Sequence, residues 1–396
     1  MMKIAQISPL CEAVPPVAYG GTERVVAYLT DALLDLGCDV TLFASADSST
    51  RARSIPMRDC AIRLDTNGLK SETAAHLAML KQIRERAHEF DVLHFHLEHL
   101  HFPVFEQLAH RTVTTLHGRL DFKDYPAFYR SWAQYPLISI SHSQRAPLAD
   151  ANWLGNVHHG LPLAAFPFKP VPAGEYLAFL GRISPEKRPH LAIELALKAG
   201  IPLKIAAKVD DADRDYFEES IRPLLGNPQI EFVGEIDESE KLPFLRGALA
   251  MLFPIDWPEP FGLVMIEALA CGTPVIAWNA GSVPEVIDDG ITGRIVECEQ
   301  DALEAIEWAR SADRPLIRQT FERRFSSHAM ARRYLELYRK LLRLRHHDAA
   351  AAPAGVISAA AGVGRARGGA IPTGTSSSIG SSGFENDPRS TSSAQI

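Results

Sequence analysis

The sequence lacks several features that would place it in other protein classes. No apolar run approaches the ~18 residues that a membrane span requires. Met1–Leu10 contains only a short apolar segment, so we expect no signal peptide. The 5 cysteines are an odd number without close spacing, which fits reduced thiols better than a disulfide framework or a zinc cluster. These absences predict a cytoplasmic protein that contacts a membrane at most peripherally, at its inner face.

An excess of positive charge is also missing. The net charge is −7 and the isoelectric point is near 6.1, whereas a nucleic-acid-binding protein would be strongly basic. We therefore expect no nucleic-acid partner. With 396 residues, 46% of them hydrophobic, the chain can bury two separate cores.

What the chain does contain is a repeated alternation of short apolar strands with helices, which predicts parallel sheets covered by helices on both faces. A basic, amphipathic helix is predicted near residues 321–345, and the Ala-, Gly- and Ser-rich composition of residues 347–396 predicts a disordered tail. The predicted strands are Lys3–Ile7, Val40–Ala44, Val92–His96, Thr112–Leu116, Leu137–Ser141, Tyr176–Leu180, Leu203–Ala207, Ile230–Val233, Ala250–Phe253 and Val275–Ala277.

Two glutamates flank the start of a predicted helix in the second half of the chain. The segment from Glu259 to Glu267 reads Glu-Pro-Phe-Gly-Leu-Val-Met-Ile-Glu, and its carboxylates lie more than two helical turns apart, at ~1.5 Å per residue. They can contact two ends of one elongated polar ligand. Between them, the amides of Gly262 and Leu263 would lie at a helix N-terminus, where a diphosphate is favourably bound.

This segment resembles the glutamate–seven residues–glutamate signature of retaining glycosyltransferases of family 4. The resemblance covers roughly residues 1–345 and implies the GT-B fold, in which two Rossmann-like domains face each other across a cleft and a C-terminal helix crosses back to the N-terminal domain. The implied divisions are an acceptor-binding domain at residues 1–165, a nucleotide-sugar donor-binding domain at 166–320, a crossing helix at 321–346 and the tail at 347–396.

The resemblance also implies roles for individual residues. Glu259 would contact hydroxyl groups of the donor sugar, and Glu267 the ribose hydroxyls. Arg182 and Lys187, which flank the turn after a strand, would bind the donor diphosphate, a role that suits a guanidinium and an ammonium group. His117, at the carboxyl end of a strand, would contact the sugar or the reaction centre. The predicted catalytic residues are His117, Arg182, Lys187 and Glu259, and the predicted donor-binding residues are Gly20, Gly21, Arg182, Lys187, Glu259, Phe261, Gly262, Leu263 and Glu267.

The function implied is transfer of a hexosyl group from a nucleotide sugar, with UDP-glucose as the first donor to test. The acceptor would be a carbohydrate, a lipid-linked molecule or a small molecule. No cofactor and no metal ion are expected, because the cations of the site can stabilise the leaving diphosphate. Two alternatives on the same scaffold are a non-hydrolysing sugar-nucleotide epimerase and a non-catalytic nucleotide-sugar binding protein.

A zinc hydrolase is a remote alternative. The run His94-Phe95-His96-Leu97-Glu98-His99 approximates the ligand run of metallo-β-lactamase-type enzymes, and His94 and His96 would share one face of a strand. In this interpretation His94, His96 and His99 would bind the metal. The repeated strand–helix–strand units of the chain argue against that fold.

Overall fold

The computed structural model describes residues 1–17, 20–169 and 174–351, with side chains described up to residue 345. Most of these residues belong to two lobes, each built on its own parallel sheet. We call residues 1–169 the first lobe and residues 174–325 the second lobe.

The first lobe contains a sheet of seven parallel strands in the order β3-β2-β1-β4-β5-β6-β7. The five predicted strands are confirmed with small shifts of their ends. Two further strands, β3 and β7, were not predicted because neither shows a continuous apolar run. The strands are β1 Lys3–Ile7, β2 Asp39–Ser45, β3 Arg53–Arg58, β4 Val92–Phe95, β5 Thr112–Thr115, β6 Leu137–Ser139 and β7 Trp153–Asn156.

The second lobe contains a sheet of six parallel strands in the order β10-β9-β8-β11-β12-β13. The strand order reverses between β8 and β11, as it does between β1 and β4 in the first lobe, and ligands of open α/β sheets bind at such switch points. β13 was not predicted. The strands are β8 Tyr176–Arg182, β9 Leu203–Lys208, β10 Ile230–Gly234, β11 Ala248–Phe253, β12 Val275–Trp278 and β13 Gly293–Val296.

Helices connect most of the successive strands and cover both faces of each sheet, whereas β2 and β3 are joined by a loop. Local sequence explains where several of them begin: Asp237 and Glu240 form a capping box at the start of α7, and the Ser71 hydroxyl accepts a hydrogen bond from the amide of Ala74 at the start of α2. The α-helices are α1 Gly21–Asp35, α2 Glu72–Arg86, α3 Phe102–Phe105, α4 Tyr125–Ser131, α5 Pro189–Ala199, α6 Arg214–Tyr216, α7 Glu238–Arg246, α8 Leu263–Ala270, α9 Val283–Val286, α10 Glu299–Ala309, α11 Arg314–Phe325 and α12 Ser327–Ala351.

The helix predicted near residues 321–345 is in fact two helices, α11 and α12, separated at Ser326. The backbone of Ser326 is extended, with φ −72° and ψ 149°, because Leu161 bonds to the chain on both sides of it: the amide of Leu161 donates to Phe325 O at 2.8 Å, and the amide of Ser327 donates to Leu161 O at 2.8 Å. The chain therefore changes direction between the two lobes at this point.

After this break, α12 packs on the first lobe. Its buried side chains share a hydrophobic core with residues of β1, β4 and β5, and the members contributed by α12 are Met330, Ala331, Tyr334, Leu335, Tyr338 and Leu341. The predicted architecture, two Rossmann-like lobes with a terminal helix that returns to the first, is confirmed. The backbone of α12 continues to Ala351, and the rest of the predicted tail, residues 352–396, lies outside the described residues.

Within residues 1–17, 20–169 and 174–351, no helix is both long enough and apolar enough to cross a membrane.

Candidate active site

The loop between β11 and α8 carries the first predicted glutamate and leads into the helix of the second. Gly262 precedes α8 with φ +76°, a conformation that favours glycine, and a Cβ there would lie 2.9 Å from Met265 Cε. The Phe261 side chain is buried, with its ring centroid 4.9 Å from that of His159. It therefore supports the loop from within the protein and does not line the candidate site. The first turn of α8, beginning at Leu263, follows directly after this loop.

Lys187 and Glu259 are brought together at this loop although they are distant in sequence. Lys187 ends a short helical turn after β8, and its Nζ forms an ion pair with Glu259 Oε2. The same ammonium group lies 5.0 Å from the ring centroid of Trp257 and 5.5 Å from that of Phe253. The amide of Asp256 donates to the carbonyl of residue 186 at 2.9 Å, which ties the two loops together. A cation and a carboxylate therefore lie beside the N-terminus of α8.

Arg182, the last residue of β8, contacts a different group of side chains. Its guanidinium lies 3.1 Å from Glu186 Oε1, 3.5 Å from Asp210 Oδ2 and 3.8 Å from Asp213 Oδ2. Lys208, the last residue of β9, pairs with Asp210 at 2.8 Å. Arg182 and Lys187 thus lie at the same end of β8. Arg182 contacts this acidic group, whereas Lys187 contacts Glu259.

Glu267, on α8, is buried and forms part of a chain of charges that reaches the first lobe. Its Oε1 accepts a hydrogen bond from Lys241 Nζ at 2.9 Å, and no described residue bonds to its Oε2. Lys241 also lies 3.3 Å from Glu238, which pairs with Arg24 of α1. Burial opposes the charge of Lys241, but the carboxylates of Glu267 and Glu238 outweigh it, so the pKa of Lys241 is raised.

The glycines of the first lobe face the same helix. A Cβ on Gly21, the first residue of α1, would lie 3.7 Å from Leu263 Cδ1. At the preceding glycine, Gly20, a Cβ would lie 2.8 Å from Pro16 Cβ. The Gly20–Gly21 turn therefore lies opposite the N-terminus of α8. A side chain at Gly20 would displace this turn.

His117 follows β5 and belongs to a cluster of histidines. Its Nε2 is 2.8 Å from His96 Nδ1, and its ring stacks on that of His159 with 5.3 Å between the centroids. Burial lowers the pKa of His117 to about 3, so the imidazole is neutral at physiological pH and contributes hydrogen bonds rather than charge.

The structure contradicts the zinc interpretation of the histidine run. Both ring nitrogens of His94 are hydrogen bonded, to the Tyr338 hydroxyl and to Thr115 Oγ1, each at 2.7 Å. Both ring nitrogens of His96 are also engaged, with His117 and with Gln6 Oε1. The ring nitrogens of His94 and His96 are thus engaged by other side chains, and His94, His96 and His99 do not bring their ligand atoms close enough together to hold a metal ion.

One other group among the described residues has metal-ligating atoms close together: Cys11, Glu72 and His76. His76 Nε2 accepts a hydrogen bond from the amide of Leu10 at 3.0 Å, and His76 Nδ1 bonds to Glu72 O at 2.9 Å. The thiol of Cys11 donates to Glu72 Oε1 at 3.0 Å. These hydrogen bonds join the loop that contains Leu10 and Cys11 to α2. Because both ring nitrogens of His76 are engaged, the group offers no imidazole ligand to a metal ion.

Sequence reasoning missed several residues that position the site. Gly281 has φ +55°, and a Cβ there would lie 2.3 Å from the amide nitrogen of Glu259, so its backbone supports the Glu259 loop. Ser282 adds two hydrogen bonds, from its amide to Glu259 O at 3.0 Å and from its hydroxyl to Phe261 O at 2.8 Å. The Asn-Ala-Gly-Ser run after β12 indicates a turn, but its partner could not be identified without the fold. No local sequence pattern marked Lys241 as a neighbour of Glu267.

The chain matches two family models, one in each lobe. Residues 19–152 match the model described as Glycosyltransferase Family 4, and residues 166–322 match Glycosyl transferases group 1. The phosphatidyl-myo-inositol mannosyltransferase of Mycolicibacterium smegmatis is 28% identical over 322 residues, which cover 74% of this chain and 81% of the relative.

Solved structures share the fold at lower identity. Sucrose-phosphate synthase from Thermosynechococcus elongatus superimposes with a TM-score of 0.69 at 22% identity, covering 87% of this chain and 100% of that one. HepE of Anabaena in complex with UDP-glucose gives a TM-score of 0.62 at 16% identity, covering 88% and 100%. The solved structures show that the chain has the GT-B fold, and the two adjoining family models, with the mannosyltransferase as a relative, identify it as a glycosyltransferase-family-4-like protein.

Proposed function

We propose that this glycosyltransferase transfers a hexosyl group from a nucleotide sugar to a hydroxyl acceptor with retention of anomeric configuration. The observation that supports this most directly is the Lys187–Glu259 pair beside the N-terminus of α8. The pair offers a cation for a phosphate and a carboxylate for sugar hydroxyls, and the helix terminus adds a partial positive charge. UDP-glucose is the first donor to test, since a protein of the same fold is known in complex with it.

The second lobe would bind the nucleotide and the first lobe the acceptor. Lys187 and Arg182 would hold the diphosphate, Glu259 the sugar hydroxyls and Glu267 the ribose, whose hydroxyls can donate to the Oε2 atom that no described residue bonds. The Gly20–Gly21 turn, opposite Leu263, would cover the donor from the first lobe. His117 would contact the sugar. The chemistry proposed here needs no metal ion, because these cations act on the leaving group.

In the proposed reaction, the bond between the anomeric carbon and the β-phosphate oxygen breaks, and the diphosphate leaves with the bonding electrons. The acceptor oxygen bonds to the anomeric carbon on the same face, and its proton passes to the departing phosphate. Lys187 and the N-terminus of α8 stabilise the negative charge that develops on that phosphate. Closure of the lobes would exclude water that could otherwise intercept the sugar.

A donor screen tests the function. The full chain is incubated with UDP-glucose, GDP-mannose or UDP-N-acetylglucosamine, with and without a pool of acceptors, and free nucleotide is measured. We expect nucleotide release that one donor supports best and that acceptors increase. Conversion of the donor to an epimer without any acceptor would instead identify the epimerase, and binding measured by calorimetry without release would identify the binding protein. The anomeric configuration of the product, measured by NMR, tests retention.

The leaving-group role of Lys187 is tested by Lys187→Gln, which keeps a hydrogen-bond donor for Glu259 but removes the charge. We expect kcat to fall by about 100-fold with little change in the melting temperature. The matched control is Lys198→Gln, which alters an exposed ion pair with Glu299 in the same lobe. Equal kcat values for the two variants would contradict the role of Lys187.

A further inference from the structure

A chain of buried hydrogen bonds runs from the crossing helix α12 to His117. Tyr338 of α12 accepts a hydrogen bond from Gln6 Nε2 at 3.3 Å, and Gln6 Oε1 lies 2.8 Å from His96 Nε2. His96 Nδ1 in turn lies 2.8 Å from His117 Nε2. Gln6 and Tyr338 have no exposed surface and His96 is 2% exposed. Groups buried in this way must satisfy one another, because solvent does not reach them.

Each imidazole of this chain is neutral. Burial lowers the pKa of His96 well below its ordinary value, and the neighbouring His94 and His117 lower it further. Burial likewise lowers the pKa of His117 to about 3. A neutral imidazole has one nitrogen that donates and one that accepts. The direction of one hydrogen bond therefore determines the direction of the next.

The Gln6 amide determines the direction of the chain. Since Gln6 Oε1 can only accept, His96 must donate to it from Nε2, and His96 Nδ1 is then an acceptor. His117 must donate to that acceptor from its own Nε2, which leaves a lone pair on His117 Nδ1. The opposite direction would require the Gln6 amide to be turned over, with its oxygen facing Tyr338. The structure orients its nitrogen toward Tyr338.

The remaining nitrogen of His117 is unused by the protein. His117 Nδ1 is buried, and no hydrogen-bond partner for it lies among the described residues. The residue is otherwise held firmly: its amide and that of Gly118 donate to Glu98 Oε1 at 2.9 and 3.1 Å, and its ring stacks on His159. Glu98 itself has a left-handed backbone, with φ 49°, a strained conformation of the kind found at functional sites.

We propose that Tyr338, Gln6 and His96 are positioning residues that hold His117 in the tautomer protonated at Nε2, so that Nδ1 accepts a hydrogen bond from a sugar hydroxyl. This inference rests on the proposed transfer function for the identity of the ligand, but the tautomer is a property of the protein alone. The crossing helix α12 would then help to orient His117 through Gln6 and His96.

The tautomer is measured first, without substrate. The full chain is labelled with 15N-histidine, long-range 15N–1H spectra are recorded at neutral pH, and the His117 signals are identified by their loss in His117→Asn. We expect His117 Nε2 to be protonated and Nδ1 to be the bare nitrogen. A protonated Nδ1 would overturn the inference, whether or not the protein transfers sugar.

Two tyrosines of α12 provide a matched pair of variants. Tyr338→Phe removes the acceptor that orients Gln6, whereas Tyr334→Phe removes a hydroxyl that bonds Thr115 at 3.0 Å and leaves Gln6 and His96 untouched. We expect Tyr338→Phe to mix the His117 tautomers and to lower kcat/KM about tenfold, and Tyr334→Phe to do neither. Equal effects of the two variants on tautomer and rate would overturn the inference.

Substitutions of His117 itself keep the test decisive if Tyr338→Phe does not fold. His117→Asn places an oxygen acceptor near the position of Nδ1, and His117→Gln places its amide near that of Nε2. We expect the Asn variant to retain at least tenfold more activity, about the value of one hydrogen bond, and the opposite order would overturn the inference.

The same variants reveal which sugar supplies the hydroxyl. If the hydroxyl belongs to the donor, His117→Gln weakens binding of the nucleotide sugar but not of the free nucleotide. If it belongs to the acceptor, His117→Gln raises the KM for the acceptor and leaves donor hydrolysis unchanged. Either result supports the inference. Unchanged values in both measurements would contradict a hydroxyl contact at His117.

Discussion

Gly281 illustrates how a residue outside the ligand site can determine the position of a proposed catalytic group. Its left-handed backbone packs so closely on the Glu259 loop that a Cβ would lie 2.3 Å from Glu259 N and 2.5 Å from Glu259 O. These neighbours are backbone atoms, which cannot rotate away as a flexible side chain could. A side chain at residue 281 must therefore move the loop that carries Glu259.

We predict that Gly281→Ala lowers the free energy of unfolding by about 3 kcal/mol, through steric overlap and an unfavourable φ, and lowers kcat as well. Urea denaturation and donor turnover measure the two effects. Gly226→Ala is the control, because a Cβ there has no neighbour within 4 Å. Wild-type stability in Gly281→Ala would show that the loop is not held by this contact.

Glu23, in the first turn of α1, carries a carboxyl group that folding makes difficult to ionise. Burial raises its pKa from 4.5 to about 7, the neighbouring Glu12 contributes to the rise, and backbone amides and Arg63 oppose it. Between these two values the folded protein retains a proton that the unfolded chain has lost. The free energy of unfolding therefore decreases as pH rises through this window, by roughly 3 kcal/mol at most.

We predict that Glu23→Gln removes this dependence. The variant should match the wild type near pH 4.5 and be more stable at pH 8 by about 1–3 kcal/mol, as measured by chemical denaturation at both pH values. Glu85→Gln, an exposed change on α2, should leave the pH dependence intact. Equal stability of the wild type and Glu23→Gln at pH 8 would contradict the raised pKa.

At the scale of elements, α11 holds the helix that carries the site. Arg318 is 6% exposed, and its Nη1 donates to Ala270 O at the C-terminus of α8 at 2.6 Å and to Phe166 O at 2.5 Å. A cation at the last carbonyls of a helix complements its dipole. The opposite end of α8 is the N-terminus beside Lys187. Arg318 therefore fixes the end of the helix that is farther from the candidate site.

We predict that Arg318→Met lowers the free energy of unfolding by about 3 kcal/mol, because two buried carbonyls lose their donor. Arg323→Met, an exposed change on the same helix, should change it by about 0.5 kcal/mol or less. Denaturant unfolding of both variants measures the difference. A similar small effect in both would show that the Arg318 contacts contribute little.

The elements also show what the sequence could and could not predict. Apolar runs identified every strand that is buried along most of its length, because burial on both faces leaves a continuous apolar pattern. The edge strand Arg53–Arg58 has no fully buried residue, so its pairing with β2 leaves no such pattern. The break at Ser326 was missed because it is imposed by Leu161, more than a hundred residues earlier in the chain.

The residues of the candidate site likewise fall into those that the sequence predicted and those that it did not. A local motif identified Glu259 and Glu267, and the resemblance added Lys187. Lys241 and Gly281 were not predicted, since each acts through a contact that only the folded chain creates. Patterns along a sequence report local structure and burial, whereas the partners that orient a charged group lie on other elements.

At the scale of the whole molecule, an ion-pair chain joins the proposed nucleotide site to the opposite lobe. Arg24 of the first lobe pairs with Glu238, which shares Lys241 with Glu267. Arg24 is largely buried, and the carboxylate of Glu238 contributes to raising its pKa against the effect of burial. A buried pair between lobes is sensitive to their separation, because breaking it leaves a charge without compensation. Nucleotide binding at Glu267 and approach of the lobes should therefore be coupled.

We predict that this coupling appears as non-additivity in a double-mutant cycle. Arg24→Met and Glu238→Gln should each weaken binding of UDP by about threefold to tenfold, and the double variant should bind no more weakly than either single one, a coupling of about 1 kcal/mol. Calorimetry with UDP measures all four affinities, and removal of the exposed Lys198–Glu299 pair is the control that should leave them unchanged. Additive losses would mean that the two residues act independently. Coupled losses would mean that the first lobe affects ribose recognition through this chain of ion pairs.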